Sequence, residues 1–389
     1  MPKGKFVMMN STYLKYFLFG WLIFFGARDA GAAEQGEPAR LLVVTVTKGF
    51  RHGSIETAEP ILEKLGRETG LFHVDFLRMP PNRTPQPKRP RRGKNVTDER
   101  WAQIEAEYKD KQRAFQKADQ PWQETLKQKF AVAFSPESLA QFDGVVFVST
   151  TGELPIPDLG AFLQWIQEGN AFIGVHAASD TLKSSDAYVE MIGGHFAGHP
   201  WTARGEHGFV NHDPTHPVVK MFPERFRWKD EIYQYGPRYN PDNVRVLLSI
   251  DMAASTPKNP WHVPVSWVRD YGRGRVFYTN LGHNNETWSD APFQKHLTEG
   301  TAWALGRFDA PSKANPSIQA AEYLRSAVAA AGELEGMEHD ALRAQVDAKI
   351  AADPSWAAEM RPQVVALRAL NGAQLTASLK KFVEDIQQD

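Results

Sequence analysis

The stretch NAFIGVHAASDTLKSSDAYVEMIGGHFAGH, residues 170–199, decides the fold. Its apolar run from Ala171 to Val175 is bounded by turn residues. Such a run reads as a strand buried on both faces, as in a parallel sheet. The run stops at His176, and two alanines, Ser179 and Asp180 follow. Asp180 is a good helix N-cap, so the next dozen residues predict a helix reaching Gly193-Gly194. His176 then sits at a strand-to-helix turn on the carboxyl edge of the sheet, where open α/β sheets bind ligands.

The same pattern extends outward. Leu41 to Val46 predicts a strand, the loop TKGFRHGS follows, and Ser54 is the expected N-cap of a helix ending near Gly70. With a strand at Phe72 to Leu77 this makes a βαβ unit, hence a parallel sheet. Val145 to Val148 is a third strand, and a helix is expected from Asp158 to Glu168. Phe226 to Tyr235, Val244 to Ile250, Val263 to Arg269 and Arg275 to Asn280 predict further strands, partly antiparallel, with His283 just after the last. Between them Ile192 to His216, rich in Gly, His and Pro, is expected to be a long loop of the kind that carries function. Phe293 to Leu305 predicts a helix. The class is α/β, a mostly parallel sheet with helices on both faces, over residues 40–309.

Two regions depart from this pattern. Residues 80–130 open with PPNRTPQPKRPRRG and continue into a charged segment with Trp101, Ile104 and Tyr108 at helical spacing. They are expected to be an insertion whose basic run is a solvated loop. Residues 316–389 are alanine-rich, with apolar residues at helical spacing and prolines at 354 and 362, which predicts three or four appended helices.

The chain has 389 residues, 42% hydrophobic and 23% charged, with a net charge of −1. That balance gives no electrostatic case for a nucleic-acid partner. The cysteine count is 0, which excludes disulfides, thiolate metal sites and a cysteine nucleophile. Residues 1–33 fit a signal peptide: Lys3, Lys5 and Lys15, an apolar run from Tyr16 to Ala27 too short for a comfortable membrane span, then Ala30-Gly31-Ala32 as a cleavage site. The expectation is export, to a bacterial periplasm, with no stable membrane span after cleavage. A chain without cysteine suits that compartment.

Histidine is the usual general acid or base near neutral pH and the commonest metal ligand. His52, His176 and His283 each follow a predicted core strand, which makes them functional candidates. His207, His212 and His216 are expected only to cap turns. In Asp230-Glu231, neighbours on a strand face opposite sides. Asp230 is expected in a surface ion pair, while Glu231 is the candidate to reach the site. The turn Gly174-Val175-His176-Ala177-Ala178 resembles a nucleophile elbow with imidazole where Ser or Cys would stand, which favours proton transfer or metal coordination over acyl-enzyme chemistry. No GxGxxG follows the first strand. Tryptophan faces suit sugar rings as well as cores, and Trp288 is the candidate for substrate contact.

GFRH at 49–52, GVHAASDT at 174–181, GGHFAGHP at 193–200, DEIY at 230–233, GRGRVFYTNLGH at 272–283 and FQKHLTEGTAWALG at 293–306 together resemble the ThuA-like (trehalose-utilisation) family. The resemblance runs in order from Leu41 to Phe308, outside the 80–130 insertion and the tail. It implies a class I glutamine amidotransferase-like, flavodoxin-type α/β fold without the amidotransferase cysteine, and a role in carbohydrate catabolism, notably of 3-keto-glycosides. Carried over residue by residue, it implies His52, His176, Glu231 and His283 as catalytic residues, with Asp180, His195 and His199 nearby to bind substrate. Some members of the family hold a divalent metal among these groups, which leaves two versions of the site open: one with Zn, Mn or Fe, for which His176, Glu231 and His283 are the candidate ligands, and a metal-free acid–base one.

Two functions of different class follow. The first is an exported enzyme, a lyase, hydrolase or isomerase, working on a small oxidised sugar. A keto group acidifies its neighbouring C–H, so a histidine or glutamate base suffices without a nucleophile. The second is a non-catalytic carbohydrate-binding or scaffold protein on the same fold.

Overall fold

The computed structural model describes residues 37–334 and 338–388. The expected signal segment at 1–33 lies outside the described residues. Among the described residues no helix is long and apolar enough to cross a membrane.

The described residues open with the expected βαβ unit: β1 (Ala39–Val44), α1 (Ile55–Thr69) and β2 (Phe72–Leu77). Gly70 closes α1 at φ +63°. The insertion is one long helix, α2 (Asp98–Ala133), capped by the Thr97 side chain and running well past Ala118. Its second half buries Trp122, Leu126 and Phe130, and that apolar face is why it continues. The short α3 (Pro136–Leu139) leads into β3 (Gly144–Val148), α4 (Leu159–Gln167) and β4 (Ala171–Val175).

The helix expected from Asp180 does not form there. His176–Asp180 is a single 3₁₀ turn, and the helix, α5 (Asp186–Ile192), starts later with Ser185 as its cap. Asp180 is engaged elsewhere, its carboxylate 2.5 Å from Lys183 Nζ and its carbonyl accepting from Gly152 N–H at 3.0 Å.

The segment expected as a long loop holds two strands, β5 (Phe196–Trp201) and β6 (Glu206–Asn211). The expected single strand 226–235 is two, β7 (Arg225–Lys229) and β8 (Ile232–Tyr235), broken at Asp230-Glu231. Then come β9 (Arg245–Ile250), β10 (Pro264–Tyr271), β11 (Gly274–Thr279), α6 (Asn285–Ser289) and α7 (Ala291–Ala304). The tail forms α8 (Pro316–Ala331), α9 (His339–Ala352), α10 (Pro354–Ala366) and α11 (Gly372–Gln388).

One sheet runs in the order β2-β1-β3-β4-β11-β10-β9-β6-β7. The first five strands are parallel. Their chain order, second-first-third-fourth-fifth, is the flavodoxin-type winding. From β10 onward every pairing is antiparallel, and β5 pairs with β8 in a separate two-stranded ribbon. Both faces of the parallel half are covered. Leu41 and Val43 of β1 pack with α1 and α7, while Leu42 and Val44 pack with α2 and α4. This is why β3 and β4 read as unbroken apolar runs. The tail helices have their own apolar cluster. They are joined to the sheet through buried Gln319, which accepts from Tyr239 O–H at 2.6 Å and donates to the Pro241 and Val244 carbonyls at 3.0 and 3.1 Å.

Candidate functional site

Parallel strands deliver their following residues to one edge. His52 lies in the loop after β1, His176 directly after β4 and His283 in the loop after β11. Glu231 enters from the break between β7 and β8. The four side chains meet: one potential ligand atom from each lies within 4.8 Å of the others. Ring centroids are 4.8 Å apart for His52–His176, 5.2 Å for His176–His283 and 5.3 Å for His52–His283. His176 is fully buried and His52 nearly so, while His283 and Glu231 reach the surface.

His176 adopts φ +50°, a left-handed conformation that costs a non-glycine residue of order 1–3 kcal/mol. Two hydrogen bonds hold it. Tyr278 O–H donates to the His176 carbonyl at 2.7 Å, and the ring Nδ1 lies 2.7 Å from the Asn280 carbonyl. A carbonyl oxygen only accepts, so Nδ1 carries the proton and Nε2 holds a lone pair. That Nε2 is buried without a hydrogen-bond partner and faces Glu231 Oε2 at 3.8 Å.

His283 repeats the arrangement. Asn284 Nδ2 donates to the Ala203 and Lys229 carbonyls, so its Oδ1 accepts from His283 Nδ1 at 3.2 Å. His283 Nε2 lies 3.7 Å from the same Glu231 Oε2. His52 keeps Nδ1 buried and unpartnered, with Nε2 3.4 Å from Tyr233 Oη. Burial first, then the neighbouring imidazoles of His283 and His199, lowers the His52 pKa to about 4. Burial foremost, then the imidazoles of His52 and His283, holds His176 well below the ordinary histidine value. Both rings are neutral at pH 7, as ligands must be.

The His176 Nε2 lone pair thus faces a carboxylate oxygen with no donor between them, and His283 Nε2 is close to the same oxygen. Acceptors facing acceptors repel unless a cation or a proton lies among them. Three imidazoles and one carboxylate form the donor set of a first-row divalent ion, so the residues fit one. His199 Nδ1 lies 3.3 Å from Glu231 Oε1 and is half-exposed at the rim. Phe50, 68% exposed, stands beside His52 with ring centroids 4.9 Å apart.

Other candidates lie elsewhere. His195 is not in the cluster; its pKa is lowered by burial and by Arg238 and Lys183. Asp180 pairs with Lys183 rather than joining the four. Trp288 is fully buried, packs edge-on against Phe293 and donates to the Gly282 carbonyl at 2.9 Å. It has no face to offer a sugar, because Gly282 claims its N–H and α7 its ring. His207, His212 and His216 are all sheltered, but His207 and His216 hold turns as expected: His207 Nε2 lies 3.2 Å from the Thr202 carbonyl across the turn between β5 and β6, and His216 Nδ1 accepts from Val218 N–H at 3.3 Å, while His212 Nε2 lies 2.6 Å from Ser249 Oγ. Asp230 is in no surface ion pair; it is 0% exposed, and every bond it accepts comes from the protein interior. The strand reading missed this because the strand breaks there. Tyr278 and Asn280, which hold His176, were indistinguishable from core residues in the strand pattern.

The sequence profile described as ThuA, trehalose utilisation, matches residues 95–304. A ThuA-like protein from Parabacteroides merdae superposes with a TM-score of 0.47 at 18% identity, covering 72% of this chain and 98% of that one. One from Bacteroides uniformis gives 0.48 at 20% identity, covering 75% and 99%. No curated protein matches the sequence.

Proposed function

The chain belongs to the ThuA (trehalose utilisation) family, and on that premise we propose that it is an exported enzyme acting on an oxidised, 3-keto glycoside, with a divalent ion held by His52, His176, His283 and Glu231. Membership itself supports a carbohydrate-related role. The observation that carries the finer reading is the unpartnered, buried Nε2 of His176 aimed at Glu231 Oε2, with His283 Nε2 3.7 Å from the same oxygen. When bound, Zn, Mn or Fe would polarise the substrate carbonyl and so acidify the adjacent C–H.

The low pKa of His52 and His176 makes them poor proton acceptors and good ligands. The proton-carrying pair is Glu231 Oε1 with His199 Nδ1, 3.3 Å apart at the solvent-facing rim. Export rests on the N-terminal sequence pattern. The test is elemental analysis of the purified protein together with a turnover assay on 3-keto-glucosides and 3-keto-trehalose. One ion per chain, lost in His176→Gln, with turnover that a chelator abolishes, is expected. A metal-free wild type that still turns over keto-sugars would leave plain acid–base chemistry. Sugar binding without turnover would make it a binding protein.

A further inference from the structure

We propose that Asp230 is a positioning residue that sets two of the site's ligands, Glu231 and His283, relative to each other. This rests on the metal reading above only for its affinity measurement.

Asp230 is fully buried and accepts four hydrogen bonds, two on each oxygen. Oδ2 takes Gly282 N–H at 2.7 Å and Thr287 O–H at 3.0 Å. Oδ1 takes Asn284 N–H at 2.9 Å and Glu231 N–H at 3.0 Å. His283 lies between the two backbone amides of its own loop. The Cα of His283 is therefore clamped to the residue next to Glu231, although the two ligands come from different strands.

The clamp requires a carboxylate. Three of the four partners are backbone N–H groups that only donate, so either orientation of an asparagine amide would turn an N–H toward at least one of them. Glutamate would carry the oxygens a methylene too far. The loop being clamped is pinned from the other side as well. Gly282, at φ +118°, has its carbonyl bonded by Ser54 O–H at 3.0 Å and by Trp288 N–H at 2.9 Å. Ser54 stands two residues after His52, so the His52 loop is tied to the same point. A side chain at position 282 would be strained at that φ and would meet Val175 Cγ1 at 3.1 Å. Outer-shell groups that fix ligand orientation are worth about 10- to 100-fold in metal affinity.

The test compares the full-length wild type with Asp230→Asn, and with Thr287→Val, which removes one donor from the clamp without changing side-chain shape. Zinc affinity is measured by calorimetry, the melting temperature on the metal-free proteins, and metal-free crystal structures are solved. The expected result is about 10- to 100-fold weaker zinc binding by Asp230→Asn and a smaller loss by Thr287→Val, in proteins that remain folded. In the Asp230→Asn crystal the His283 Nε2–Glu231 Oε2 separation, 3.7 Å here, should widen. A merely structural role would lower the melting temperature and leave zinc affinity and that separation unchanged, which would overturn the proposal. If Asp230→Asn does not fold, unchanged zinc affinity and an unchanged separation in Thr287→Val overturn it. If the wild type binds no zinc, the metal reading fails and the crystal separation alone decides this one.

Discussion

Two groups of buried histidine differ in what their ring nitrogens do. At the carboxyl edge of the parallel strands, His176 and His52 keep a nitrogen buried and unpartnered, and His176 faces a carboxylate. Under the antiparallel half, His296 is equally buried, but Nδ1 bonds the Val218 carbonyl at 2.7 Å and Nε2 lies 3.3 Å from Ser266 Oγ. Both environments lower the pKa, to about 4 for His52 and for His296, with burial the leading cause in each. Burial and a shifted pKa therefore do not mark a site. Nor does an unpartnered ring alone. His262 has both nitrogens buried without partners, yet its ring neighbours are His212 and Tyr323 rather than a carboxylate. The distinguishing feature is a lone pair facing a carboxylate.

Substitution tests that contrast directly, and the largest effect is expected at His176. His176→Gln should weaken divalent-ion binding more than about 100-fold while the fold persists. Native mass spectrometry with a zinc titration checks it, and binding retained within a few-fold would remove the distinction.

The second test is pH. A histidine with a lowered folded pKa leaves the unfolded chain binding more protons between about 4 and 6.5. Stability is then full above 6.5 and is lost as pH falls toward 4. Asp230, raised by burial from 3.8 to about 6, works in the opposite sense over its own interval, because the folded form takes up the proton first. The histidines outnumber it, so the melting temperature of the metal-free protein should fall from pH 6.5 to 4. Bound zinc should steepen the fall, since protons compete for the imidazoles. A flat profile in calorimetry would contradict this.

His296→Leu should cost about 1–3 kcal/mol in urea unfolding, through lost hydrogen bonds and a carbonyl left unpaired, with zinc binding unchanged. A loss of zinc binding there would blur the two groups. Gln319→Ala should cost a similar or slightly smaller amount, leaving the Tyr239 hydroxyl and two carbonyls without partners where the tail meets the sheet. Ser54→Ala should be smallest, about 1 kcal/mol for one hydrogen bond to Gly282. Its hydroxyl makes no cap bond to α1, so helix content by circular dichroism should not change.

The candidate site was legible to the extent that it depends on strand ends. His52, His176 and His283 could be found because each closes an apolar run, and Glu231 because it adjoins a strand with aromatic neighbours. Trp288 was misjudged because an indole looks the same in sequence whether its face is open or covered by α7. Asp230 was misjudged because alternation along a strand says nothing once the strand breaks. The α5 start was misplaced because Asp180, Ser184 and Ser185 all have capping side chains, and only the surrounding groups decide which is free. Asp180 holds Lys183, Ser184 holds Glu153, and Ser185 remains to accept from Tyr188 N–H.

By itself the sequence determined four of the parallel strands, the helices α1, α4 and α7 and the edge where three histidines gather. These follow from local periodicity and from the rule that parallel strands all end on one side. Only the tertiary structure decided the order of strands in the antiparallel extension, the packing of α2 on the sheet, the split of 225–235 into two strands in different sheets, and the roles of Tyr278, Asn280 and Asp230. Those depend on hydrogen bonds and packing between residues dozens to more than a hundred positions apart. His176 bonds Asn280, and Asp230 bonds Gly282 and Asn284. No pattern of neighbouring residues encodes which distant donor will meet which acceptor; the packing of the β11 strand beside β4 does.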